Sequence, residues 1–309
     1  MLVTNRHVVA DQKTVKIYLP SGHTSAAIVV PSGYSGDLVL IQAELDDGPI
    51  AELSNSLEGD LFTVGLDQRA GQIKAYKPGK LLIGPDKSYQ FSRIHHTAIS
   101  GPGNSGGALL NSQGKVVGIT TSGGSGRSEA IPVKEILALK TLSGQKFSKE
   151  HQQFGENYRD CILWTEKLSR NRFLSDSNAQ GLKNKCRLTQ NRQLLELTAQ
   201  ILGRANRLST SALFFEQSLE RDPSAINARL GYLVTLHLLG RYSDEVKLLE
   251  GLMQIIPRNK MVQRFALQVG KILDNQELIE DGLRLIKTHA PENLPAAKRF
   301  LKAKIRPGK

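Results

Sequence analysis

Two cysteines, one tryptophan and 6% aromatic residues in a chain of 309 leave several chemistries without their reagents. Cys161 and Cys186 both fall in the second half, so no thiol nucleophile and no cysteine-rich zinc framework accompanies the first. No HExxH motif and no Cys/His cluster occurs. The adjacent His95 and His96 would point to opposite faces of a strand, so they read as structural rather than as chelators of one ion. No metal or other cofactor is expected. No apolar run approaches the roughly 20 residues that a membrane span needs. Acidic residues are also scarce, 29 against 41 Lys and Arg, for a net charge of +12.

That imbalance is local. Residues 1–145 hold 13 basic and 12 acidic side chains, whereas 146–309 hold 28 and 17. A basic surface attracts acidic peptides, anionic lipid or nucleic acid, but charges scattered around amphipathic helices read as a solvated face, and no nucleic-acid motif is present. The chain is long enough for two cores. Up to about residue 140 the pattern is all-β. Val15, Ile17 and Leu19 alternate with polar neighbours, and short apolar runs at 26–30, 38–41, 61–64 and 115–119 are separated by turn signals at Pro20-Ser21-Gly22, Pro31-Ser32-Gly33 and Asp46-Asp47-Gly48-Pro49. From about 146 long amphipathic stretches rich in Leu, Lys, Arg and Gln take over.

The most informative stretch is Gly103-Asn104-Ser105-Gly106-Gly107, with His7 and Asp37 upstream. A hydroxyl is a poor nucleophile at neutral pH. It needs an imidazole to take its proton and a carboxylate to hold that imidazole in the right tautomer. Glycines beside such a serine let the backbone turn sharply and aim the Gly103 and Ser105 N–H groups at one oxyanion. The same five residues fit the G-x-S-x-G elbow of α/β-hydrolases, which requires the order Ser, acid, His. That order fails, because the histidines after Ser105 are His151, His237 and His289, all in the helical, charge-rich region.

Three blocks, Leu2-Val3-Thr4-Asn5-Arg6-His7-Val8-Val9, Gly36-Asp37-Leu38-Val39-Leu40-Ile41 and Gly101-Pro102-Gly103-Asn104-Ser105-Gly106-Gly107-Ala108-Leu109, resemble the active-site blocks of HtrA-type trypsin-like serine proteases. Gly114–Ile119 and Ala130–Val133 extend the likeness, which covers residues 1 to about 143. It implies a chymotrypsin-like double β-barrel with His7 and Asp37 on the first barrel and Ser105 on the second, acting as a His-Asp-Ser triad on peptide bonds. It further implies that Ile99, six residues before the nucleophile, lies at the base of the specificity pocket, and that Ile119, Thr120, Thr121 and Ser122 line that pocket and pair with substrate backbone. An Ile there offers no counter-charge, so cleavage after a small or medium apolar residue is expected. Two strands that normally precede the histidine strand are missing ahead of Met1. Either the chain starts further upstream, where a signal peptide would stand, or this is a truncated and catalytically impaired copy serving as a protein-binding scaffold. An extracytoplasmic, periplasmic home follows from the resemblance in the first case. No PDZ domain is recognisable.

Pro223, Pro257 and Pro291 recur every 34 residues, the period of the tetratricopeptide (TPR) helix pair. The middle unit fits best, with Gly240-Arg241-Tyr242 in the turn, Leu233 and Leu236 in the first helix, and Leu249 and Leu252 in the second. The repeats are degenerate: Arg229 replaces the characteristic Trp, and Glu245 and Ile279 stand where Ala is usual. An irregular helical domain sharing only the proline spacing is the alternative. The expected organisation is a protease domain at 1–145, a helical bridge at 146–190 and TPR-like helices at 191–309 that bind a substrate or protein partner. Cys161 and Cys186 lie in the bridge, as a disulfide or as buried thiols.

Overall fold

The structure, a computed structural model, describes residues 1–19, 22–44, 50–124, 126–171 and 173–303. The turn signals at Pro20-Ser21 and Asp46-Asp47-Gly48-Pro49 lie outside them. A beta-rich first part is followed by a helical one, as the composition shift implies.

The first sheet has four strands, β1 (Leu2–Thr4), β2 (Thr14–Tyr18), β3 (Thr24–Val30) and β4 (Val39–Gln42), in the order β1-β4-β3-β2. A short helix, α1 (Arg6–Val9), follows β1. Its interior is made by Val9, Ala27, Val29, Val39 and Ile41. Seven strands form the second sheet: β5 (Phe62–Asp67), β6 (Gln72–Ala75), β7 (Leu81–Ile83), β8 (Ile94–His96), β9 (Ala108–Leu110), β10 (Val116–Gly124) and β11 (Arg127–Pro132), ordered β6-β5-β9-β10-β11-β8-β7. Leu61 and Gly79 exchange backbone hydrogen bonds of 2.8 and 3.0 Å, which draws the chain ahead of β7 back to the start of β5 and curls this sheet. Tyr34 and Leu38, between β3 and β4, and Leu40 of β4 pack with Val116, Ile119 and Ile131 from the second sheet and with Ile136 and Leu139 of helix α2 (Lys134–Thr141), so one core joins the two sheets.

The segment after α2 packs against both neighbours. Helices α3 (Ser148–Leu168) and α4 (Asp176–Cys186) are joined by the Cys161–Cys186 disulfide, which settles the two readings of that pair. Ser175 caps α4 by accepting from the Asn178 amide at 3.2 Å, satisfying an otherwise orphaned donor. Gly155 lets α3 press against the backbone of Ala10 and Asp11, where a Cβ would come within 2.8 Å. His151 and Arg159 on the same helix then reach Ser32 and Asp11.

Three helix pairs follow. Their first members, α5 (Arg192–Arg204), α7 (Ile226–Leu239) and α9 (Lys260–Ile272), begin 34 residues apart, as do the second members α6 (Leu208–Arg221), α8 (Tyr242–Ile255) and α10 (Gln276–His289). Helix α11 (Leu294–Lys302) starts one period after α9. Each helix packs on the next. Asn191, Asn259 and Asn275 cap α5, α9 and α10 through their side chains, and Gly240 closes α7 in the left-handed region. The residues that depart from the repeat pattern have local compensation: Arg229 lies over Gly251, Ile279 over Gly270, and Glu245 sits 3.2 Å from His237.

A buried ionic cluster fixes these helices on the second sheet. Arg192 at the start of α5 pairs with Glu129 of β11 and with Glu196 at 3.3 Å. Asp222, in the turn before α7, is fully buried and accepts from the Arg93 amide and the Ser92 hydroxyl, both at 3.3 Å, and lies 3.0 Å from His95. Burial would raise its pKa, but the hydrogen bond to His95 and the charge of Arg192 hold it down at about 2.

Two outcomes are expected. Cys161→Ser should cost about 3 kcal/mol, the entropy regained by opening a loop of this length, read as a lower urea midpoint than the oxidised wild type shows. Asp222→Ala should cost about 1–3 kcal/mol or more by leaving the buried Ser92 hydroxyl, Arg93 amide and His95 ring without their acceptor. Since the Asp222 pKa is depressed, its contribution is complete above the usual carboxylate range and disappears as pH falls through about 2. Acid titration of the wild type and the variant should therefore converge at the low end.

Candidate active site

The register of β1 on β4, with Thr4 opposite Val39, brings the two chain ends together so that His7 and Asp37 meet. The contact has two points. Asp37 Oδ1 accepts from the His7 backbone amide at 2.9 Å, and Asp37 Oδ2 lies 2.7 Å from His7 Nδ1. Asn5 Nδ2 and the Arg6 amide both donate to the Asp37 carbonyl, at 3.0 and 3.3 Å, which holds the backbone as well as the carboxylate. Asp37 is buried, whereas the His7 side chain keeps 21% of its exposure. Burial alone lowers the His7 pKa, but the charge and hydrogen bond of Asp37 outweigh it and leave it above the ordinary 6.5. Burial likewise works to raise Asp37, and His7 brings it below the usual value.

Ser105 sits in the tight loop ahead of β9. Gly106 donates to the Thr120 carbonyl at 2.9 Å and Thr120 donates to the Gly107 carbonyl at 2.8 Å, so the loop is zipped onto β10. Gly103 and Gly106 have φ of 93° and 85°, which L side chains rarely adopt. A Cβ at Gly103 would approach Gln68 within 2.7 Å, and one at Gly106 would strike Thr4 of the first sheet. Neither the Gly103 nor the Ser105 amide donates a hydrogen bond among the described residues, which leaves both free for an incoming oxygen.

The third element is Thr121. The register of β10 on β11 shifts between Thr120 and Ser122, so Thr121 is an extra residue bulged out of the ladder. Its hydroxyl donates to Asp37 Oδ2 at 3.0 Å, and its carbonyl accepts from Ser105 Oγ at 3.3 Å. One bulged residue therefore touches both halves of the site. Of the other positions expected to line a pocket, Ile119 packs in the core, Thr120 is buried with its backbone engaged by the glycine loop, and Ile99 is 48% exposed. Gly123 faces Ser100, where a Cβ would come within 3.1 Å. Among the described residues no hydrogen bond links Ser105 to His7; His7 pairs with Asp37, and Ser105 with Thr121.

Several residues at the site were not singled out by sequence. Arg6, beside His7, is fully buried. It donates to the Tyr34 carbonyl at 2.9 Å and stacks over Phe154 and Tyr158 of α3 at 5.6 and 6.0 Å. His151, which sequence order had placed in a helical region remote from the sheets, accepts at Nδ1 from the Ser32 amide at 3.1 Å, and burial lowers its pKa to about 4. Helices α3 and α5 also form a wall over His7. Ile162, Thr165 and Glu166 on one side and Gln193, Leu194 and Leu197 on the other enclose a cleft of about 240 Å³ with it. His95 and His96 lie on β8 away from this cleft, and no group of acidic, histidine or cysteine residues suited to a metal occurs among the described residues.

Residues 1–119 match the family model of the trypsin-like peptidase domain. The chain is 34% identical over 177 residues to serine protease HTRA4 of Mus musculus, covering 53% of this chain and 33% of that protein. It is 32% identical over 145 residues to mitochondrial serine protease HTRA2 of Bos taurus, 43% of this chain and 31% of that one. A DegP-like periplasmic serine endoprotease of Hahella chejuensis is 34% identical over 152 residues, 44% of this chain and 31% of the other. The chain thus spans about a third of the length of these relatives. Among solved structures, the HtrA-type protease AlgW with tripeptide superposes with a TM-score of 0.40 at 26% identity, over 45% of this chain and 50% of that one. Residues 1–119 are thus similar to the trypsin-like peptidase domain of HtrA-type serine proteases, and a helical region follows.

The raised His7 pKa generates a pH prediction. Its imidazolium is favoured by folding, so that stabilisation is present below the ordinary value and is lost as pH rises through the folded one. Base catalysis needs the neutral ring and appears over the same rise. With His7 as the base for Ser105, the reading proposed below, hydrolysis should therefore show an acid limb with its midpoint above 6.5. Asp37→Asn should shift the midpoint down and reduce the rate by about 10⁴-fold, measured as kcat/KM against pH.

Proposed function

We propose that the chain is a serine endopeptidase in which Ser105 attacks the scissile carbonyl, His7 takes and returns the proton, and Asp37 orients His7. The Gly103 and Ser105 amides would receive the oxyanion. The observation that carries this reading is the two-point clasp of His7 by Asp37, held by Thr121, whose own carbonyl contacts Ser105. For attack, Ser105 Oγ must exchange its bond to the Thr121 carbonyl for one to His7, and apo hydrogen bonds of this kind commonly tighten only with substrate. We read the two sheets as a chymotrypsin-like double barrel, and the chain as a protease domain at 1–145, a bridge at 146–190 and TPR-like pairs at 191–309 that engage substrate or a partner. The 34-residue recurrence of helix starts supports the last assignment. Ile99 and the β10 segment up to Thr121 would bound the specificity pocket. The disulfide and the periplasmic relative support an extracytoplasmic location, and no described helix is long and apolar enough to cross a membrane.

One observation favours a second reading, a scaffold without turnover: Ser105 is not bonded to His7, and α3 and α5 wall off His7. A fluorophosphonate probe separates the two, since a working nucleophile is labelled at Ser105 and a scaffold is not. If the enzyme reading holds, Ser105→Ala should lose about 10⁴-fold or more in kcat while keeping fold and peptide binding. Peptide-library profiling should show cleavage after Val, Ala, Leu or Ile, and a preference for Lys or Arg would remove Ile99 from the pocket.

A further inference from the structure

We propose that the concave face of the helix pairs is the continuation of the peptide-binding strand β10, and that it takes the apolar segment of the substrate lying N-terminal to the scissile bond. The inference rests on the endopeptidase reading for the identity of the occupant and on independent geometry for the path. Beyond Thr120, the edge of β10 that faces Ser105 has no strand paired to it among the described residues, because β9 reaches only Ile119 and its preceding glycines end at Thr120. A peptide added there meets the backbone of Ser122 and Gly123, and that of Thr121 once its carbonyl gives up the bond from Ser105 Oγ.

Direction follows from register. All the paired strands of both sheets run antiparallel, and β10 runs from Thr121, beside Ser105, toward Gly123. An antiparallel partner therefore passes Gly123 first and reaches Ser105 last, so its N-terminal side leaves the catalytic centre by way of Ser122 and Gly123. Those two residues form the mouth of a groove of about 750 Å³ that runs along α5 and α7 as far as Met261 of α9. Gln193 and Leu197 of α5 line both this groove and the cleft at His7, so the two lie on either side of the same turn of helix. Gln193 also comes within 3.4 Å of the Thr121 hydroxyl.

The lining states the chemistry. Leu197, Leu208, Val234, Leu238 and Met261 present an apolar floor, and Leu238, left 61% exposed on the first helix of the middle pair, has no packing role that would explain it. An extended chain rich in Leu, Val or Ala fits such a floor while its backbone groups stay paired near β10. The acidic ligand that net charge alone suggests is not what this groove is lined for, since its charged residues include Arg127 and Arg204 but also Glu129 and Glu196.

The test uses the full chain and three quenched peptides that share the same residues around one Val-directed cleavage site. One is short, one carries about six further Leu, Val and Ala residues on its N-terminal side, ~20 Å of strand, and one carries them on its C-terminal side. The N-terminal extension should raise kcat/KM at least tenfold and the C-terminal one should not. Leu238→Glu and Leu208→Glu should each remove that gain and leave the short peptide unchanged. Equal gains from both extensions, or a gain that survives both variants, would overturn the proposal. Binding of the labelled N-extended peptide to Ser105→Ala, with and without Leu238→Glu, separates this from the activity reading. Binding that Leu238→Glu abolishes supports the groove even if wild type turns over nothing; turnover with no N-terminal gain and no such binding leaves the endopeptidase reading standing and the groove refuted.

Discussion

The arrangement depends on one buried anion. Asp222 lies in a turn of the helical region yet finds its donors on the sheet, in the Ser92 hydroxyl, the Arg93 amide and His95. A carboxylate without water is costly, and only this set of donors, with Arg192 nearby, makes its burial tolerable. The consequence is geometric. Asp222 sits between α6 and α7, and Arg192 opens α5, so the same cluster orients three helices relative to β8 and β11. From that orientation α5 lies alongside β10 and over His7. Apolar contacts add area, as where Leu82 and Ile83 of β7 pack against the α7–α9 core, but they are tolerant of sliding in a way that hydrogen-bonded charges are not.

Much of the candidate site was legible in sequence because it depends on residue type and order. His7, Asp37 and Ser105 stand in blocks whose glycines and flanking apolar residues leave few other arrangements, and the register of β1 on β4 delivers the first two to each other. Thr121 illustrates where legibility ends. The resemblance places it only along a pocket-lining strand, and its link to both Asp37 and Ser105 arises from a single-residue bulge that no local pattern announces. Arg6 and His151 were missed for a related reason. Their contacts cross 145 residues of chain, between a segment that reads as a charge-rich bridge and the helix that carries His7. Charge at such positions suggests solvent, whereas burial here is bought by stacking on Phe154 and Tyr158.

The helical half shows the converse. The proline period of 34 residues corresponds to the spacing of helix starts, and the positions that break the repeat pattern are those where the partner helix has given way, as Gly270 does for Ile279 and Gly251 for Arg229. Spacing could not decide the state of Cys161 and Cys186, because that turns on whether α3 and α4 bring the two Cα atoms close, and they lie 4.6 Å apart.

Placing a helical wall beside His7 narrows what can reach it. Folded surfaces cannot enter a cleft of about 240 Å³ bounded by Ile162, Thr165 and Leu197, whereas an extended chain can lie along β10 with its backbone groups paired and pass beneath α5. Such pairing is indifferent to side chains, so selectivity has to come from what the side chains meet beyond Gly123. On the helices they meet Leu and Val rather than an array of one charge, even though the helical half carries most of the basic excess. On the proposed path, discrimination would fall to apolar contact, where each buried methylene adds about 0.8 kcal/mol. Contacts of that size discriminate through length rather than through any one position.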